Sequence, residues 1–441
     1  MAPKPSCTTT APGAGFFSGR KMRPARTRLP GSVIETRCPG APVAWADAVR
    51  TAGTASRPAS ASRRLIIRVM EGLSAHGSFD LPCHNDCDAS LSDHSLMSTP
   101  ARSARGVALA VFLVALIACA PFRSVQPDTQ ASALALRVKP ATFNLEDPAA
   151  TRVGRLIWRG GITLSADHAA FGGWSDLEVG ADGSRVRAVS DAGAWLVGQL
   201  RYDPAGRLVG FDNAQLGRLK APDGTWLVSK AWADAESLAT LPDGSLLVGF
   251  ERRHRVLRYP AGDEAQGGGL AGTPRPFPTP AALAGTPANT GLEAMAVLPD
   301  GRLLLLAEAL QLKPGTTTGW IGTLRDGVPS WSPFHYTLVE GFRPTAAASL
   351  PDGDIVLLER TAGLPGGWRV RVMRLRAAAL APDAVVQAEE LARLATPWVT
   401  ENLEGIAARR GRNGETLLWL IADDNFSFLQ QTMLLHFALA D

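Results

Sequence analysis

Five times along this chain, two short apolar runs flank a tight turn, with an acidic residue at one or both outer ends. The clearest copy runs from Ala235-Glu236 through Leu241-Pro242-Asp243-Gly244 to Phe250-Glu251. The next holds Leu292-Glu293, Pro299-Asp300-Gly301 and Glu308, and a third holds Pro351-Asp352-Gly353 followed by Ile355 to Leu358 and Glu359. A fourth runs from Glu404 through Asn413-Gly414 to Asp423, and a looser copy runs from Asp176 through Asp182-Gly183 to Asp191. Runs of five or six residues about an Asp-Gly read as hairpins rather than helices. Proline presets φ for the turn and glycine tolerates its exit geometry. The turn glycines are spaced by 61, 57, 52 and 61 residues. Each period leaves room for about four strands, the size of a propeller blade. The expectation is an all-β propeller of six blades, with five as the alternative, its ring closed by pairing the N- and C-terminal strands.

Residues 151–441 form this propeller domain, behind a linker at 120–150. Residues 1–96 lack sustained periodicity and read as a disordered leader or a mis-called extension. Met97 then opens a segment with Arg102 and Arg105 ahead of 13 uncharged apolar residues, Gly106 to Ala118, ending in Leu116-Ile117-Ala118-Cys119. That length suits a signal peptide better than a membrane span. The ending resembles a bacterial lipobox, so 97–119 is read as a lipoprotein signal with Cys119 as the lipidated residue, and Met97 as a possible true start. The implied location is the periplasm or outer membrane, tethered by lipid.

All five cysteines lie at or before residue 119, which rules out a disulfide or thiol nucleophile in the propeller. Cys83, His84 and Cys87 have no second ligand pair at zinc spacing. Residues 119–441 carry 31 Lys+Arg against 34 Asp+Glu, so no basic footprint for nucleic acid is present.

Blade geometry directs the acids. If the first strand crosses the ring and the second returns, Glu236 and Glu251 lie at one face, as do Glu293 with Glu308 and Glu404 with Asp423. Glu236, Glu293 and Glu404 share one position in the repeat. Crowded carboxylates suit a hard cation such as Ca²⁺, a set of salt bridges with Arg252, Arg253, Arg343 or Arg360, or separate solvation. Arg252, Arg253 and Arg343 are candidates for binding substrate phosphate, and His254 for general acid–base work. No Gly-x-Ser-x-Gly elbow, phosphate loop or His-Glu-x₂-His pair occurs.

Five ordered motifs carry a family likeness: Phe171-Gly172-Gly173-Trp174-Ser175-Asp176-Leu177, Asp234-Ala235-Glu236-Ser237-Leu238, Phe250-Glu251-Arg252-Arg253-His254-Arg255, Gly341-Phe342-Arg343-Pro344-Thr345 and Asp423-Asp424-Asn425-Phe426. Together they resemble the bacterial phytase-like domain family, also described by an esterase-like activity. The pattern departs at Ser237, Ala346, Glu401 and Gln431, where that family usually has Gly, Asp, Asp and Arg. The resemblance implies a metal-assisted hydrolase of small phosphate or carboxylic esters. A non-catalytic envelope propeller binding a ligand or protein, and a lactonase-like propeller enzyme, are the alternatives.

Overall fold

A computed structural model describes residues 131–263, 267–363 and 367–440. The leader, the apolar segment, Cys83, Cys87 and Cys119 lie outside these described residues.

Each Asp-Gly or Asn-Gly repeat becomes the inner hairpin of one antiparallel sheet. Blade I consists of Trp174–Val179, Arg185–Ser190, Ala194–Tyr202 and Leu208–Arg218, and blade II of Ala235–Thr240, Leu246–Phe250, Arg255–Tyr259 and Arg275–Phe277. Blade III holds Leu292–Val297, Leu303–Ala307, Thr316–Arg325 and Val328–Thr337, with a short parallel strand, Val385–Val386, on its edge. Blade IV holds Arg343–Ser349, Ile355–Gly363, Gly367–Leu375 and Glu389–Leu394. Blade V takes Asn402–Arg410, Thr416–Asp423 and Thr432–Leu439 from the C-terminus, and Leu156–Ala166 from the N-terminal side as its fourth strand. The ring therefore has five blades rather than six. The periods of 52–61 residues are long because outer strands and loops are long, not because more blades are present.

The closing pair is the one the repeat pattern anticipates. Leu156 to Leu164 runs antiparallel to Thr432 to Leu439. The domain also extends back beyond residue 151, since Leu136–Pro140 pairs with Leu156–Ala166 and Ser132–Ala133 with blade I.

All five turn glycines have positive φ, between 73° and 95°, and each donates its N–H to the carbonyl three residues earlier. That is the left-handed exit a hairpin needs and that only glycine adopts without strain. Both faces of every inner hairpin are covered by neighbouring blades, which is why Leu303–Ala307 reads as Leu-Leu-Leu-Leu-Ala without polar alternation. Five apolar clusters fill the five junctions: Trp195 with Phe250, Met295 with Leu247, Leu304 with Leu357, Leu358 with Leu403, and Leu177 with Ile421 each mark one. On the axis, a cavity of about 90 Å³ is lined from all five inner strands, by Leu177, Thr240, Val297, Ser349 and Ala408 among others.

Candidate metal centre

Every inner strand carries a β-bulge at the same place. The pairing skips one residue between Trp174 and Asp176, Ala235 and Ser237, Leu292 and Ala294, Pro344 and Ala346, and Leu403 and Gly405. A bulge leaves its extra residue out of the ladder and re-aims the side chain. The five residues so released are Ser175, Glu236, Glu293, Thr345 and Glu404. Across the hairpin, the returning strand delivers a second set of equivalent positions: Asp191, Glu251, Glu308, Arg360 and Asp423. Seven of these ten positions are carboxylates, and they belong to the end of the ring opposite the turn glycines.

The acids see one another. The Glu293 carboxyl is held well above the usual range, first by burial and then by the negative charges of Glu236, Glu251, Glu308 and Glu404. Glu236 is raised in the same way, by burial and then by Asp234, Glu404 and Asp191. Burial also lifts Glu251, Glu308 and Glu404, and pushes Asp423 up to about 8. Glu236, Glu293 and Glu404 thus lie in one shared field, as the hairpin geometry requires.

Two trios are close enough to share an ion. Ligand oxygens of Asp234, Glu236 and Glu251 lie within 4.8 Å of one another, and so do those of Glu251, Glu293 and Glu308. Two oxygens each about 2.4 Å from one Ca²⁺ are at most about 4.8 Å apart, so both trios can close on a calcium-sized cation. The donor set is all oxygen, the choice of a hard cation. The Glu251 carboxylate accepts the Gly291 N–H at 3.0 Å and also hydrogen-bonds Glu293, a contact that needs a proton on one of the two acids. Buried oxygens at Asp191 Oδ1 and Asn402 Oδ1 have no hydrogen-bond partner, as donors awaiting a ligand would. The residues present fit a divalent cation.

Glu404 and Asp423 stand apart from both trios. Glu404 Oε1 takes Arg360 at 2.8 Å and the Asn402 amide at 2.6 Å, while Asn402 reaches Asp423 at 3.4 Å. Arg360 is the one basic residue in the two rings. It lies in the field of Glu404, Glu293, Glu308 and Glu236, which raises its pKa further, and its buried Nε has no partner. Arg343 pairs with Arg360 across blade IV, donates to the Phe342 carbonyl at 2.8 Å and lies in the field of Glu308. Blade IV is therefore the basic sector of an acidic mouth.

The other candidates are placed differently. Arg252, with φ of 52°, spends its Nε on Asp234 at 2.7 Å, and Arg253 stacks on Trp232 at 3.9 Å. His254 is not in the acid cluster, because its Nε2 contacts the Thr286 and Pro287 carbonyls at 2.9 and 3.1 Å and its ring packs on Gly291. Ala346 is buried in the apolar core, so Thr345, not Ala346, is the blade IV counterpart of Glu236. Asp191, the closing acid of the first repeat, is held by Lys230 at 2.6 Å, and Asp234, held by Lys230 and Arg252, is a mouth acid that repeat logic passes over. Asp234 sits one residue before its strand, but the motif Asp234-Ala235-Glu236 was its available signal. Asp176 turns away from the mouth: it accepts the Leu238 N–H at 2.8 Å and staples blade I to blade II.

Fold and site together define a class, a five-bladed propeller whose one mouth is lined with convergent carboxylates and a basic sector. The chain belongs to the phytase-like family, described by an esterase-like activity of phytase, whose model matches residues 169–426. That match spans all five bulges and both trios. A comparison with curated protein sequences finds no match. Among solved structures, one provisionally described as a gluconolactonase aligns over 71% of this chain and 94% of its own, at 15% identity and a TM-score of 0.32. A protein of unknown function from Bacteroides caccae aligns over 58% of this chain and 70% of its own, at 12% identity and a TM-score of 0.26. Likenesses this remote say nothing about the chemistry of the mouth.

Proposed function

We propose that this protein is an exported, lipid-anchored hydrolase of small phosphate or carboxylic esters that works with a divalent cation, Ca²⁺ being the best fit. The observation that carries the reading is the pair of carboxylate trios sharing Glu251, with the pKa of Glu236, Glu251, Glu293 and Glu308 raised. A resident cation there supplies Lewis-acid polarisation of an ester oxygen and a more acidic bound water.

Asp234, Glu236, Glu251, Glu293 and Glu308 would hold the cation. Arg360 and Arg343 accept the negative charge of the substrate, and the unpartnered Arg360 Nε is the donor free to do so. Glu404 fixes the Arg360 guanidinium through its 2.8 Å contact, and Asn402 fixes Glu404. Arg252 and Arg253 would act indirectly, by holding Asp234 and the Trp232 loop.

A non-catalytic, cation-stabilised binding propeller is the second reading, favoured by the engagement of His254 with loop carbonyls. Calorimetry with CaCl₂, followed by hydrolysis assays on p-nitrophenyl phosphate and p-nitrophenyl acetate, separates the two. Cation binding with turnover lost in Glu236→Gln supports the hydrolase. Binding without turnover supports the second reading, and no binding removes both.

A further inference from the structure

The opposite end of the ring holds a second cavity that the mouth chemistry does not use. It has a volume of about 570 Å³ and lies between blades I and V, beside the turn glycines Gly183 and the loop at Arg412-Asn413. That volume is typical of a small-molecule site. Its walls carry Arg159, Arg409, Arg410 and Arg412, and its floor is Trp419 and His436.

The four arginines are not neutralised by partners. Among the described residues, Arg409 bonds the Val179 carbonyl, Arg410 bonds the Gly414 and Pro351 carbonyls, and none of the four forms an ion pair. Three acids also line the space. Asp182 is paired with Arg185 and Asp203 with Arg207, both from outside the lining, and Glu415 accepts the Asn413 N–H. The cavity is therefore net basic, in a domain that is not.

His436 adds a second demand. The residue is 2% exposed, and its ring stacks on Trp419 with centroids 4.8 Å apart and planes 12° from parallel. Its Nδ1 lies 3.2 Å from the Arg159 carbonyl, and a carbonyl only accepts, so Nδ1 carries the proton. Burial pushes the imidazole pKa down to about 4, which keeps the ring neutral. Nε2 is then a lone pair, buried and without a partner. The Nε–H of Arg159, the residue bonded to the same ring, is buried and unpartnered as well. An unmet acceptor and an unmet donor on residues lining the same cavity can both be satisfied by a hydroxyl group, which gives one hydrogen bond and receives another.

We infer that this cavity is a second ligand site, for a hydroxylated anion of the sugar-phosphate or sugar-acid class, with its acidic group on Arg409, Arg410 and Arg412 and a hydroxyl between His436 and Arg159. The site sits on the seam of the ring: Arg159 belongs to the closing strand Leu156–Ala166, and His436 to its partner Thr432–Leu439. A ligand there bridges the two ends of the propeller and stabilises the closed ring.

The test uses the full-length protein in EDTA, where no cation is left at the mouth to hold an anion. Titration calorimetry compares 6-phosphogluconate, inorganic phosphate and glucose, with thermal unfolding followed in parallel. The expected result is binding of 6-phosphogluconate with a rise in melting temperature, weaker binding of phosphate, and none of glucose. Arg410→Gln with Arg412→Gln, exposed residues at the strand end and in the turn, should weaken 6-phosphogluconate by about tenfold or more, and Arg412→Gln alone should leave the unliganded melting temperature unchanged. His436→Phe should abolish the preference for 6-phosphogluconate over phosphate. Glu236→Gln should leave all of this intact. Failure of 6-phosphogluconate to bind at millimolar concentration overturns the site. So does binding that ignores the arginine substitutions. A preference that survives His436→Phe overturns the hydroxyl assignment.

Discussion

Replacing Glu293 with glutamine should act in opposite directions with and without a cation. Glu293 offers an oxygen within 4.8 Å of oxygens on both Glu251 and Glu308. Two unit charges at that distance, in an effective dielectric of about 20, repel by about 3 kcal/mol. The raised pKa values mean that protonation relieves part of this at neutral pH. The remaining gain on removing one charge at pH 8 is about 1–3 kcal/mol. Unfolding a domain of about 310 residues carries an entropy of about 0.65 kcal/mol/K, so each kcal/mol moves the melting temperature by about 1.5 °C. In EDTA the variant should therefore melt about 2–5 °C above the wild type. With Ca²⁺ at one hundred times its dissociation constant, the wild type gains about 2.7 kcal/mol, or about 4 °C, and the variant loses most of that. Differential scanning calorimetry in EDTA and in CaCl₂ at pH 8 reads both arms. A variant that is less stable than wild type in EDTA would show that Glu293 is a satisfied structural acid, and the like-charge pocket would not exist.

The remaining expectations are shorter. In EDTA, stability should fall as pH rises from about 4.5 towards 8, because acids with raised folded pKa values bind more protons folded than unfolded; Asp423, at about 8, sets the upper edge. A melting temperature that instead climbs through that window contradicts the shifts. Arg360→Met should cut kcat/KM on phosphate esters by about 10²-fold through loss of a charged contact while tightening cation binding, since it removes a positive charge from the field of four glutamates. Weaker cation binding in that variant would place Arg360 outside the site. Gly301→Ala, at φ of 83°, should cost about 1–2 kcal/mol of stability and leave cation affinity alone. Globomycin should cause the precursor to accumulate with its apolar segment uncut before Cys119; normal processing would remove the lipid anchor.

What the sequence made legible was whatever repeats. Turn glycines announce hairpins, and similar offsets from those turns, eight residues for Glu236 and Glu293 and ten for Glu404, bring the three into one rim, because the bulge falls at the same place in each hairpin. Three things were not legible. The blade count depends on how much chain is spent in outer strands such as Thr316–Arg325 and Val328–Thr337, and a period alone does not reveal that. The bulges have no signature in composition, so the release of Ser175, Glu236, Glu293, Thr345 and Glu404 from their ladders is visible only in the register. His254 sits one turn past Glu251 in the sequence, yet packing on Gly291 directs it to the Thr286 loop, a tertiary choice no local motif encodes.

The seam between Leu156–Ala166 and Thr432–Leu439 sets the timetable of folding. Leu156 meets Leu439 across 283 residues (439 − 156), and closing a loop of that length costs about 5 kcal/mol of chain entropy before a single contact is made. A chain synthesised from its N-terminus delivers the early half of this pair at the outset and its mate at the very end. Until the last strand arrives, the fifth blade is a hydrogen-bonding edge without a neighbour, so the window for misassembly lasts as long as synthesis itself, and any chain cut short before Thr432 never leaves it.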